Sequence, residues 1–300
     1  MSNILVVGSV ALDSVKTPFG ERNEILGGSA TFFSVCARHF APVSLVAVVG
    51  EDFPKKYIEL LKSKKIDIGG LETAPGQTFR WGGEYSYDLN DRKTIFTHLN
   101  VFADFKPKVP QAYKNKDFLF LANIDPELQL DVLRQVNKPK LIACDTMNLW
   151  IETKPAKLRE LLKYVNIFFL NEPEARQLTG QSNLIKAAKQ IMKMGPEKII
   201  IKKGEHGALL FSPKSVFCLP ACLLDTVVDP TGAGDTFAGG VMGYLAKCNT
   251  VNDVNIRRAM VCGTVMATFA VEAFSLDKLA KVTQADIAKR IAQFKNYTCF

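Results

Sequence analysis

Short apolar runs alternate with longer segments of helical period along most of the chain. Ile4 to Val7, Val43 to Val49, Phe118 to Leu121, Leu141 to Cys144, Ile167 to Leu170 and Lys198 to Ile201 are apolar without interruption or nearly so, as strands covered on both faces are. Between them the period predicts helices over Gly28 to Phe40 and Phe53 to Ser63, then near Glu127 to Gln135, Pro155 to Tyr164, Pro173 to Leu178 and Leu184 to Met194. This alternation predicts an α/β fold: a central, mainly parallel sheet flanked by helices on both faces. From Gly234 onward the pattern is mostly helical.

Two segments depart from that rhythm. Val10 to Leu26 holds short extended pieces, and Thr78 to Leu99 alternates around Asn90-Asp91, which predicts a hairpin. Strands inserted from about 10–26 and 72–100 in a single domain spanning 1–300 imply a small β-sheet lid. A sheet of that size is marginal alone, so it needs a site or a second copy to cover. Its unpaired edges favour a homodimer formed through the lid.

Composition narrows the class. The 300 residues are 47% hydrophobic and 23% charged, enough for a sizeable core. MSNILVVG has no basic leader, and Ala259 to Val271 is too short to span a bilayer, so the expectation is a cytoplasmic protein without a membrane partner. Seven scattered cysteines, Cys299 among them, argue against a disulfide framework, and three distant histidines argue against a His/Cys metal site. The net charge of +8 suits phosphate-bearing ligands, but it is spread in small pairs with no aromatic-basic repeat, which argues against nucleic acid.

The densest chemistry lies in DPTGAGDTFAGG, Asp229 to Gly240. Thr226 to Asp229 reads as a β-like run into a turn, and Thr236 to Ala246 as a helix despite its glycines. Gly232, Ala233 and Gly234 then stand at a helix N-terminus, where unpaired N–H groups and the helix dipole make an anion site. No Lys or Ser/Thr follows in Walker A spacing; Asp235 does. A carboxylate beside an anion site suits one role, taking the proton of an alcohol that attacks phosphorus. The plain alternative is a first-turn acid facing the dipole.

The same string resembles the C-terminal signature of the ribokinase-like (PfkB) carbohydrate kinases, and the resemblance covers essentially the whole chain. GSVALDSV with Gly27-Gly28 resembles the family's first substrate segment, LNEPEARQLTG its NxxE segment, and IIIKKGEHGALLF its nucleotide-binding strand-turn-strand. The resemblance implies a ribokinase-like fold and an ATP-dependent kinase with Asp235 as base and Gly232, Ala233 and Gly234 as anion hole. It implies Asn171 and Glu174 at magnesium and the nucleotide phosphates, through water. Lys202 and Gly204 fall on the nucleotide-contacting TxG pattern, with Lys202 in place of Thr. Asp13 is expected to hold acceptor hydroxyls, with Gly27 and Gly28 letting a polyol approach. Activation by a monovalent cation such as K+ occurs among relatives, and here it would map near Val271 to Ser275.

Three departures concern the acceptor. Ala11 and Phe32 stand where relatives often carry Asn, which removes groups that read sugar hydroxyls. In DTMNLW, Asp145 and Asn148 match a DxNxR segment loosely, with Trp150 in place of the Arg that suits a phosphorylated acceptor. Phe32, Phe33, Phe79, Trp81, Tyr85 and Tyr87 are candidates to stack on a base or sugar, or to form lid core. The expected reaction is γ-phosphoryl transfer from ATP to the hydroxymethyl group of a small sugar, polyol or similar alcohol. A nucleoside kinase is the alternative, and a non-catalytic sensor the rival from another class. GSVALD lacks the GxGxxG of a nicotinamide-dependent dehydrogenase.

Overall fold

A computed structural model describes residues 2–298. The chain opens with β1 (Ile4–Val7), β2 (Ala11–Thr17), β3 (Gly20–Gly27), α1 (Ser29–Ala37), β4 (Val43–Gly50), α2 (Lys55–Ser63), β5 (Asp67–Ala74), β6 (Arg80–Tyr85) and β7 (Arg92–His98). The middle holds β8 (Phe118–Leu121), α3 (Pro126–Gln135), β9 (Leu141–Asp145), α4 (Asn148–Thr153), α5 (Pro155–Leu162), β10 (Ile167–Asn171), α6 (Glu172–Thr179) and α7 (Leu184–Met192). Then come β11 (Lys198–Lys202), β12 (Ala208–Phe211), β13 (Val216–Leu219), α8 (Ala233–Cys248), α9 (Asp253–Val271) and α10 (Gln284–Asn296).

Nine strands form the central sheet in the order β13-β12-β11-β10-β9-β8-β1-β4-β5. All its pairings are parallel except β11–β12 and β12–β13. Alternation within each strand sends side chains to two cores: Ile4, Val6 and Phe120 to one face, Leu5, Val7 and Leu121 to the other. On the first face Phe33 of α1 stacks on Phe120 with ring centroids 4.1 Å apart, and Phe237 of α8 meets Phe169 edge-on.

The second sheet, β3-β2-β6-β7, is the lid. Two antiparallel pairs, β2–β3 and β6–β7, are joined by the parallel pairing of β2 with β6. The lid starts later than its sequence suggested. Residues 72–74 belong to β5, whose Thr73 and Ala74 pair with Val49 and Gly50 of the central sheet. The β-like run Thr226 to Asp229 is not a strand. It has no strand beside it; the Val228 and Asp229 N–H groups donate instead to the Val271 carbonyl at 2.7 and 3.2 Å.

The helix glycines of α8 are packing positions. A Cβ on Gly239 would stand 2.6 Å from the Phe33 carbonyl oxygen, and one on Gly240 would stand 2.7 Å from Gly263 Cα in α9. Three helices therefore approach backbone to backbone, which fixes the head of α8 against the sheet. The six cysteines among the described residues are free, and Cys299 lies outside them. No helix among the described residues is long and apolar enough to cross a membrane.

Candidate active site

The C-terminal ends of β9, β10 and β11 deliver Asp145, Asn171 and Lys202 side by side. In an open parallel sheet this edge is where ligands bind. Opposite lies the head of α8. Its N-cap, Gly232, has φ +75°, and a Cβ there would fall 2.4 Å from the Phe32 ring. Only glycine fits both demands. Phe32 is thus buried beneath the loop and is unavailable to stack on a ligand. Phe33 is buried as well.

The loop's N–H groups are not equivalent. Ala233 donates back to the Pro230 carbonyl at 3.1 Å, and Thr231 to Asp229 Oδ1 at 2.8 Å. Among the described residues the Gly232 and Gly234 N–H groups have no hydrogen-bond acceptor, while the Asp235 N–H bonds its own carboxylate. The Gly232 and Gly234 groups face the cleft together with the Lys202 ammonium, which lies 3.1 Å from where a Gly234 Cβ would stand.

Lys202 donates to Asp145 Oδ2 at 2.5 Å. Burial disfavours the ammonium, but Asp145 and Glu174 hold it above its usual range. Lys202, which stands in place of Thr in the TxG pattern, is thus an interior cation. Asn171 and Glu174 form a reciprocal capping box: Asn171 Oδ1 accepts from the Glu174 N–H, and Glu174 Oε2 from the Asn171 N–H, both at 2.7 Å. Glu174 thus lies in the first turn of α6 and caps it. The Asn171 amide N–H2 and Glu174 Oε1 are left over for other work. Burial pushes the Glu174 carboxyl up to about 7, Lys202 opposing and Asp145 adding.

Asp235 sits in the cleft floor. Burial, then the Asp145 charge, push its carboxyl up to about 7 against Lys202 and Arg92. Asp13 projects from β2 so close to Gly27 that a Cβ there would lie 1.9 Å from Asp13 Oδ2. Gly28, at φ +95°, hydrogen-bonds the carboxylate through its N–H. Burial pushes Asp13 up to about 7, with Asp229 and Asp235 adding. Asp229 is buried, and its Oδ2 has no partner among the described residues.

The lid closes over these groups. Thr231 donates to the Tyr85 hydroxyl at 3.1 Å, and Asn90 in the lid turn donates to Glu205 at 2.9 Å, beside Gly204. Phe79 packs on Phe102, so it is lid-base core. Tyr87 is 90% exposed. Trp81 carries the Arg92 guanidinium 5.1 Å above its ring. Asn148 is exposed on α4, and Trp150 donates to Asn123 Oδ1 at 2.9 Å, so the DTMNLW segment gives the cleft only Asp145.

Sequence reasoning missed Arg92, Asp229 and the tie of Tyr85 to the anion loop. The position of Tyr85 and Arg92 as cross-strand neighbours follows from the hairpin register, which the Asn90-Asp91 turn alone does not set.

The family model for pfkB family carbohydrate kinases matches residues 1–279. The chain belongs to this family. It is a kinase, a phosphotransferase with an alcohol group as acceptor. A cytidine kinase from Thermococcus kodakarensis is 32% identical over 251 residues, 81% of this chain and 89% of that one. A nucleoside kinase from Methanocaldococcus jannaschii is 24% identical, covering 91% of each. The fold matches that of putative ribokinase II from E. coli, solved in complex with ATP and Mg2+. The TM-score is 0.77 at 18% identity, over 98% of this pfkB kinase and 100% of the E. coli chain.

Proposed function

We propose that this pfkB kinase transfers the γ-phosphoryl group of ATP to the hydroxymethyl group of a nucleoside, with Asp235 as general base. The observation that carries the reading is the meeting of Asp235, Asp13 and the open N–H groups of Gly232 and Gly234 in one cleft. Asp13 binds the acceptor hydroxyls, which brings the hydroxymethyl oxygen toward Asp235. That oxygen attacks the γ-phosphorus as its proton passes to the Asp235 carboxylate. The bond from the γ-phosphorus to the bridging oxygen breaks, and ADP leaves with the electron pair. The loop N–H groups and the Lys202 ammonium balance the charge on the transferring phosphoryl oxygens. The Asn171 amide N–H2 and the Gly204 turn serve the nucleotide.

Magnesium fits this site as a guest of the nucleotide. Among the described residues no group of three ligating side chains forms a cage, while the free Glu174 Oε1 is an oxygen donor suited to holding magnesium through water. When bound, the ion supplies positive charge to the phosphates. The Asn171 oxygen is occupied by the capping box, so Asn171 serves the phosphates rather than the metal. K+ fits the orphaned Asp229 Oδ2, which stands against the Val271 to Ser275 loop. A second copy of the chain suits the free lid edges of β3 and β7.

A nucleoside comes ahead of a free sugar for two reasons. Ala11 and buried Phe32 offer no polar group to sugar hydroxyls, and the Thermococcus and Methanocaldococcus relatives carry nucleoside-kinase names. The sugar reading keeps support from the family description and from a ribokinase of Lactococcus lactis at 26% identity. The test is magnesium-dependent ADP release from ATP with cytidine, other nucleosides, ribose, fructose and inositol, in potassium and in choline chloride. A nucleoside should drive turnover, fastest in potassium, and Asp235→Asn should lose about 10²–10⁴-fold. Turnover of ribose or fructose alone would restore the sugar reading. Tight acceptor binding without turnover would make the protein a sensor.

A further inference from the structure

Part of the surplus of positive charge gathers in a cavity that shares no lining residue with the cleft. The cavity measures about 360 Å³ and opens between α10 and the single 3-10 turn Leu279–Lys281, against Phe269 of α9. Lys278, Lys281, Lys289 and Arg290 line it, with Asp286 as the one acid in its wall. Asp286 is already engaged: its Oδ2 accepts from the Thr283 N–H and hydroxyl at 2.9 and 2.6 Å. Glu272, at the end of α9, accepts from Lys278 at 2.9 Å and from Arg290 at 2.6 Å. Lys281 and Lys289 are exposed and pair with no carboxylate among the described residues. Four cations thus face two acids, which leaves two positive charges over. Arg290 is built in rather than loose. Its Nη1 also donates to Thr268 Oγ1 at 2.7 Å, and the guanidinium carbon lies 4.2 Å from the Phe269 ring centroid. Its Nη2 donors have no acceptor among the described residues.

We infer that this cavity is an effector site for an organic phosphate monoester, and that filling it slows the enzyme. The slowing rests on the kinase reading above; the site does not. A monoester phosphate carries about two negative charges near pH 7, which matches the surplus. Arginine donors and two free ammonium groups suit its oxygens. The volume falls within the roughly 300–1,000 Å³ usual for small-molecule sites, so the organic part has room as well, with Val282 and Gln293 to meet it. Drawing Lys278 and Arg290 onto the phosphate weakens their hold on Glu272. Glu272 directly follows Val271, whose carbonyl holds the Val228 and Asp229 N–H groups ahead of Gly232. A carboxylate left unbalanced at a helix C-terminus is disfavoured, so the end of α9 and the loop hung on it loosen. Two sources supply such a ligand: the nucleoside monophosphate made in the cleft, and a sugar phosphate made by another kinase reaction.

The test is calorimetry on the whole chain with cytidine monophosphate, ribose 5-phosphate and, as a control, sodium sulfate. It compares the wild type with Lys281→Ala/Lys289→Ala, whose two exposed positions leave the fold and the basal rate intact. The double variant should lose about tenfold or more of the affinity of one binding event and leave any cleft binding as it was. Tighter cytidine monophosphate at the cavity identifies the product as the source, and tighter ribose 5-phosphate a sugar phosphate. Equal isotherms for the two proteins, or sulfate bound as tightly as the monoesters, overturn the site. In ADP-release assays a saturating monoester should lower the wild-type kcat about fivefold, at the weak end of allosteric couplings, and leave that of the double variant unchanged. Inhibition relieved in full by excess acceptor and ATP would put the monoester in the cleft and overturn the effector role. A wild type that turns over no acceptor, yet loses the same binding event on substitution, would keep the site and overturn the acceptor reading.

Discussion

Asp235, Asp13 and Glu174 are each pushed up to about 7 because burial disfavours their charge and other carboxylates add to it, Asp145 beside Asp235 and Glu174, Asp229 and Asp235 beside Asp13. A base works only when deprotonated, so kcat/KM should fall as pH drops below about 7, approaching tenfold per unit for a single proton. Stability moves the other way. These carboxyls titrate higher in the folded chain than their ordinary values of 3.8 or 4.5. The folded state therefore binds more protons over that window, and its stability falls as pH rises toward 7. Asp235→Asn should melt several degrees above the wild type at pH 8 and close to it at pH 5, by thermal unfolding of the ligand-free protein. An equal difference at both pH values would mean that Asp235 is not held against its charge. The motif made Asp235 legible in sequence. Its high pKa was not, because that arises from burial and from Asp145 on β9.

The elements divide by how much of their identity is local. β8 is fully apolar and β10 is apolar up to its last residue, Asn171, and each lies where the pattern predicts to within a residue. β5, DIGGLETA, is a polar edge strand with two glycines, so no periodic signal marks it and its pairing with β4 alone defines it. Thr226 to Asp229 errs in the opposite sense: it has strand composition and no strand to join. α8 shows how tertiary packing overrides propensity. Alanine is a better helix former than glycine by about 1 kcal/mol. At Gly240 the added methyl would press on the backbone of α9, at an overpacking cost of about 1–3 kcal/mol. Gly240→Ala should therefore lower stability in denaturant titration. A gain would show that the α8–α9 contact yields.

At the scale of the molecule, the lid is tied to the main domain at its hinge and at its tip. Near the hinge, Asp52 accepts from the Thr78 backbone and hydroxyl, both at 2.7 Å, and pairs with Arg80 at 2.8 Å. At the tip stand the Thr231–Tyr85 and Asn90–Glu205 contacts. The turn between β2 and β3 carries exposed Phe19 and the outer edge strand β7 exposed Ile95, at 61% and 55%. If a second copy covers them, sedimentation at micromolar concentration should give a dimer, and Ile95→Lys should shift it to monomer. A monomeric wild type would remove the second copy from the picture. The lid's existence was legible in the interrupted rhythm of the chain. Its closure was not, since that depends on residues more than a hundred positions apart.

The tip contacts also carry a thermodynamic consequence. One hairpin rests on Thr231, ahead of the proposed anion hole, and on Glu205, beside the turn proposed to serve the nucleotide. Neither ligand can favour the closed lid without favouring it for the other. On the proposed roles the two substrates should bind cooperatively, and by linkage the factor by which ATP tightens the acceptor should equal the factor by which the acceptor tightens ATP. The hairpin that interrupts the helical rhythm of the chain sets the strength of that mutual help.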